Sequence, residues 1–187
     1  MKKTLTMVLA FALVFALGVG GTLAWLTASA TPVVNTFSPS NINITLTETL
    51  PENKTAQMVP GHTIEKNPKA SVVAESEESF LFIKIEKSAN YDNFMEFTVD
   101  SAWKPVEGHP GYYYMDATTI EMGKEYSILA NDTVTVKDTV TKEMMTAEDF
   151  TQPTLTFKAA AVQYYKTNNT PFTLAEAWDN LPAEFKA

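Results

Sequence analysis

"FLFIKIEK", residues 80–87, decides the fold. Leu81, Ile83 and Ile85 fall on one side of an extended chain, and Lys84 and Glu86 on the other. That two-residue period is the mark of a strand with one buried face. The same period runs through "NINITLTET" (41–49), where Ile42, Ile44 and Leu46 oppose Asn43, Thr45 and Thr47. It is longest in "TLTFKAAAVQYY" (154–165), which sets Leu155, Phe157, Ala159 and Ala161 on one face. "KASVVA", "FTVDSAW", "GYYYMD", "EYSILA" and "TVTVKD" supply further short strands. Polar or Pro/Gly-rich stretches separate them: "ESEES" reads as a charged hairpin tip, and "KPVEGHP" as a loop between two strands.

Thr occurs 25 times, many of them in these alternating runs, as suits β-branched side chains on a pleated surface. Two short helices interrupt the pattern. One is expected around Lys142–Asp149. The other, near 174–181, opens with Thr173 and Glu176 at capping-box spacing, and Pro182 should stop it. With no strand–helix–strand rhythm, the expectation is an all-β, antiparallel β-sandwich with one or two short helices.

Ahead of the first strand, Lys2 and Lys3 precede an apolar run, Leu5–Leu17, broken only by Thr6. Gly18, Gly20 and Gly21 then weaken a helix, and Ala28, Ser29 and Ala30 present the small residues of an A-x-A cleavage site. Residues 1–30 therefore read as a signal peptide, and the stretch up to Leu26 is also long enough for a retained anchor. Residues 31–187 read as one β-sandwich domain, beginning with a strand segment over 31–47. After cleavage the mature N-terminus carries Val33, Val34 and Phe37 and no charge before Glu48. Such a terminus either folds onto its own sheet or adds to the edge of a neighbour's. A head-to-tail addition of that kind does not close and so builds a filament.

Composition narrows the function. There is no Cys, so thiol catalysis, Cys-ligated metals and disulfides are excluded. All 14 basic residues are Lys. Without Lys2 and Lys3, 12 remain against 22 acidic residues, about −10 for the mature chain. That balance argues against nucleic acid and against anionic lipid, and leaves membrane contact to the uncleaved signal peptide alone.

No catalytic constellation stands out, and no cofactor or metal is expected. A catalytic zinc usually takes three protein ligands, often two His four apart on a helix. Here His62 and His109 lie far apart, each in a Pro/Gly turn, and read as exposed turn residues. Glu75, Glu77 and Glu78 lack the alternating ligands of a calcium loop. Asp92, Asn93 and Glu96, mixed with aromatics in "ANYDNFMEF", read as a loop beside core aromatics, with a weak carbohydrate or calcium surface as the alternative. Trp103, Tyr112, Tyr113 and Tyr114 form a dense aromatic group, a candidate exposed patch for glycan or protein contact. Alternation sends Tyr113 to the face opposite Tyr112 and Tyr114.

"GTLAWLTAS", "VVNTFSPSNINITLTET", "MVPGHTIEKNP", "FLFIKIE", "TVTVKDTVTKEMM" and "LTFKAAAVQ", in this order along nearly the whole chain, resemble the TasA/camelysin family of Gram-positive exported proteins. The signal segment is the most specific part of the likeness. The resemblance implies removal of the signal peptide by a SipW-type signal peptidase, a jelly-roll sandwich, secretion, and a role as subunit or accessory of extracellular matrix (biofilm) fibres. Its partners would then be copies of itself or other matrix-fibre proteins. Some camelysin-like relatives carry a metallopeptidase label, which the residues here do not support. A monomeric cell-surface binding module for glycan or protein is the other alternative.

Overall fold

A computed structural model describes residues 41–48 and 57–187. Among them the chain forms ten strands: β1 (Ile44–Thr47), β2 (Thr63–Glu65), β3 (Lys69–Val72), β4 (Ser79–Lys87), β5 (Met95–Glu96), β6 (Lys104–Pro105), β7 (Tyr112–Met115), β8 (Tyr126–Ser127), β9 (Thr133–Val136) and β10 (Leu155–Gln163). Four short helices accompany them: α1 (Tyr91–Phe94), α2 (Lys142–Thr146), α3 (Leu174–Asp179) and α4 (Ala183–Lys186). The strands make three antiparallel sheets, ordered β1-β3-β8, β10-β4-β7-β6 and β2-β9-β5. The fold is therefore all-β and sandwich-like.

β4 is the axis of the molecule. It pairs with β10 over nine residues, from Ser79↔Gln163 to Lys87↔Leu155, and on its other side with β7 through Leu81↔Met115 to Lys84↔Tyr112. Its inner face carries Leu81, Ile83 and Ile85 into the main core. Ala70 and Val72 of β3, Val134 and Val136 of β9, and Ile128 and Leu129 beyond β8 meet them there. The four-stranded sheet thus faces the two three-stranded sheets across one apolar layer. Leu155, Phe157, Ala159 and Ala161 of β10 pack against the same core, as their spacing predicts.

The outer face of β4 is not simply solvent-exposed. Phe80 and Phe82 point away from the main core and are buried in a second one with Val106, Ala160, Val162, Ala177, Leu181 and Phe185. The cover comes from α3 and α4. At α3 the capping box forms as its spacing predicts: Thr173 Oγ1 accepts from Glu176 N at 3.3 Å, and Glu176 Oε2 accepts from Thr173 N at 2.9 Å. The helix expected near 174–181 forms over Leu174–Asp179, and a second, unexpected one follows it at Ala183–Lys186. Pro182, which has no N–H to continue α3, opens α4 instead. Past the cover, the outer face of β4 turns polar. Glu86 pairs there with Lys84 at 2.6 Å and with Lys158 of β10 at 3.1 Å.

Three local expectations are revised. "ESEES" is not a hairpin tip, because β3 and β4 belong to different sheets. It is a corner, held by Ser76, whose Oγ accepts from Asn43 N at 3.1 Å and donates to Asn43 O at 3.2 Å, with Glu75 at φ 69°. The helix expected around Lys142–Asp149 ends at Thr146, where Ala147 turns extended. "FTVDSAW" contributes only the isolated bridge Val99↔Leu129. The preceding "YDNF" coils into α1, which turns Tyr91 and Phe94 into the core.

Candidate functional site

The expected cleavage region Ala28, Ser29 and Ala30, the expected assembly residues Val33, Val34 and Phe37, and the rest of the expected signal peptide lie outside the described residues. Of the strand segment expected over 31–47, the described end forms β1. Ile44 packs against the main core, and Leu46 is 39% exposed.

Among the described residues, β1 and β10 are both edge strands of their sheets. They run close to each other, yet neither joins the other's ladder. This seam presents main-chain edges from two layers, and among the described residues no strand pairs into it. β10 is a long edge and β6, at the far side of its sheet, a poor one. β6 has two residues, and Pro105 cannot donate to a ladder.

The aromatic residues predicted to form one exposed patch are dispersed over two faces. Trp103 is only 4% exposed and belongs to the main core, where its Nε1 donates to Ser127 O at 2.8 Å. Tyr113 packs against that same core, while Tyr112 and Tyr114 join the second core on the outer face. Strand alternation separates the tyrosines as expected; Trp103 goes inward because its indole N–H finds a carbonyl there.

Tyr112 itself is committed to structure. Its hydroxyl donates to Lys186 O at 2.8 Å, and its ring meets Trp178 edge-on at 4.9 Å and Phe185 at 5.8 Å. Lys84 Nζ sits 5.2 Å over the same ring and also donates to Ala187 O. Its hydrogen bonds to Glu86 and Tyr112 raise the Lys84 pKa above the ordinary lysine range, while Lys84 and Lys158 together hold Glu86 below the ordinary carboxylate range. These groups anchor the C-terminal cover and are not free to receive a ligand.

The histidines do not meet. His62 is exposed in the turn that leads into β2, where Val136 N donates to its carbonyl at 2.9 Å. His109, read from the sequence as exposed, is half-buried: its ring stacks on Trp178 at 4.0 Å on the outer face of the four-stranded sheet. Among the described residues no three His, Cys, Asp or Glu side chains gather as a metal site would require. Glu75 and Glu77 are exposed beside Ser76, at the β3–β4 corner.

Asp92, Glu96 and Tyr113 do come together, across an open cleft of about 490 Å³ at one end of the main core. Its other walls include Lys87, Phe97, Thr98 and Lys137. α1 and β5 set Asp92 and Glu96 at its rim, and β7 brings Tyr113 from the facing sheet. Asp92 takes both hydrogen bonds of a salt bridge from Lys87, at 2.7 and 2.8 Å, and its carbonyl accepts from Lys137 Nζ. Behind them Tyr91 is 2% exposed, and its phenol pKa is driven well above the ordinary range, first by burial and then by the Asp92 charge, so this hydroxyl stays neutral.

Two features escaped the sequence reading: the second core and the cleft. For the first a signal was present, since "FLFI" is apolar at four successive positions, the pattern of a strand covered on both faces. The cleft joins residues from three separate segments, and no local pattern marks it. Compared with protein-family models, with curated proteins and with solved structures, the chain matches none, and its chemistry is read from its own residues.

Proposed function

We propose that this chain is an exported structural protein, a subunit or accessory of extracellular matrix fibres, with a jelly-roll-like sandwich that polymerises by strand addition. It acts as a building element rather than as an enzyme. A SipW-type peptidase frees the segment beginning at Thr31, and Val33, Val34 and Phe37 of one copy then extend a sheet of the next. The observation that supports this reading is the seam between β1 and β10, two edge strands that lie close without a shared ladder. An added strand gains main-chain hydrogen bonds along such an edge and side-chain contacts on alternate residues. The export signal of residues 1–30 and the resemblance to the TasA/camelysin family support the same reading.

The test is electron microscopy with sizing of the chain beginning at Thr31 beside one beginning at Ser38. Filaments from the longer form alone are expected. Polymers that persist without residues 31–37 would end the strand-addition proposal, and two folded monomers would leave only an accessory role.

A further inference from the structure

We propose that the cleft between β5 and β7 binds a neutral, hydroxyl-rich oligosaccharide. This inference concerns a different surface from the β1–β10 seam and holds whether or not the chain polymerises.

The cleft lies between the two layers of the sandwich and its volume, about 490 Å³, falls in the range of small-ligand sites, with room for a few sugar units. Its walls mix two half-buried aromatic rings, Phe97 and Tyr113, with groups that donate or accept hydrogen bonds. Aromatic faces carry negative potential and attract the polarised C–H groups that line one side of a pyranose ring. Phe97 is braced by an edge-on contact with Tyr91 at 5.8 Å and carries Lys87 Nζ over its ring, 6.0 Å from the centre, so stacking on a sugar falls to the Tyr113 ring.

The polar groups decide which ligand fits. Lys87 is neutralised by Asp92, and Lys137 is spent on the Asp92 carbonyl. The rim thus holds two ammonium and two carboxylate groups with no net charge, so a strongly ionic ligand gains no field there. What remains unpaired among the described residues is the Glu96 carboxylate, the Tyr113 hydroxyl and the Thr98 hydroxyl: an acceptor beside two groups that both donate and accept. Sugar hydroxyls also donate and accept, and so match all three. A lipid tail would leave these groups without partners, at a desolvation cost.

The experiment titrates the full 187-residue chain with chitohexaose and cellohexaose, with hexagalacturonate and a chitosan hexamer as charged counterparts. The readouts are calorimetry and saturation-transfer NMR. Saturable binding of at least one neutral hexamer, tighter than either charged one, is expected. Glu96→Gln and Tyr113→Phe should each weaken it about tenfold, the loss of one good hydrogen bond, with unchanged thermal midpoints. Tyr112→Phe, on the opposite face of the sheet, should leave it unchanged. No saturable binding of either neutral sugar overturns the proposal, as does preference for a charged hexamer. Binding that responds to Tyr112→Phe and ignores Glu96→Gln and Tyr113→Phe also overturns it, and moves the site to the outer face. Filament formation is scored separately by microscopy, so failure here leaves the assembly reading intact.

Discussion

Leu81 and Phe82 are neighbours in one strand and both fully buried, yet they are buried by different means. Leu81 faces a core enclosed by strands from all three sheets, drawn from positions 44 to 161 of the chain. Phe82 faces a core closed on its far side by α3 and α4 and the residues leading into them. The first is the sandwich; the second is a cover laid on its back. The inner core is cross-braced by ladders on every side. The outer one depends on two short helices of six and four residues, which gain little from their own backbone hydrogen bonds and stand by packing. A strand can thus be equally buried on both faces and unequally secured.

The substitutions that test this contrast are ranked by expected effect. Ile83→Ala, at a fully buried position of the inner core, should cost about 2–5 kcal/mol and lower the whole unfolding transition in a denaturant titration. Trp178→Ala strips the outer cover of its contacts with His109, Tyr112 and Phe82. Because Trp178 is half-exposed, its loss should be smaller, about 1–2 kcal/mol. Hydrogen exchange should place that loss in amides 174–187 and leave β4 and β9 protected. If β4 opens as readily as the helices, the two cores are one cooperative unit and the contrast fails. Thr173→Ala removes the N-cap of α3 and should cost about 1 kcal/mol, again seen first in the exchange of α3.

The smallest effect depends on pH. Hydrogen bonds from Lys166, then from the Thr173 amide and hydroxyl, lower the Glu176 carboxyl from 4.5 to about 2. A carboxyl held below its unfolded value stabilises the native state above that value, and the contribution is lost as pH falls from about 4.5 toward 2. The side chain is 44% exposed, so the gain is modest and shrinks in salt. Thermal midpoints of the wild type and Glu176→Gln should therefore converge across that window. Curves that stay parallel would show that Glu176 contributes nothing through its charge.

How much of this was legible in the sequence follows the same division. Alternation identified β1, β4, β9 and β10 and the inner-facing Leu155, Phe157, Ala159 and Ala161, because a period of two reports directly which side chains share a face. It could not report that the opposite face of β4 would also be covered. Lys84 and Glu86 mark that face as wet, and so they do, but only for the end of the strand beyond Phe82. The capping box at Thr173 and Glu176 was readable because a cap is a matter of three residues. The short pairings β5–β9 and β3–β8, two residues each, were not, since nothing local distinguishes them from loop. The aromatic group was misjudged at Trp103 for a related reason: the carbonyl that receives its N–H lies 24 positions further on. The cleft is the extreme case, formed by Asp92, Tyr113 and Lys137 only once the layers have met.

The pairing of β4 with β10 carries one further consequence, for the order in which the molecule can be made. Its partners stand 68 to 84 positions apart, from Lys87↔Leu155 to Ser79↔Gln163. Contacts so distant form slowly, because a long loop must close before any of them is rewarded. A chain emerging N-terminus first, at about 5–20 residues per second, exposes "FLFI" for several seconds before β10 and its cover arrive. Throughout that interval β4 is an apolar strand with one ladder missing and its outer face bare. The polypeptide is expected to complete its fold only after the last helix has been released, and to rely until then on being kept apart from its own copies.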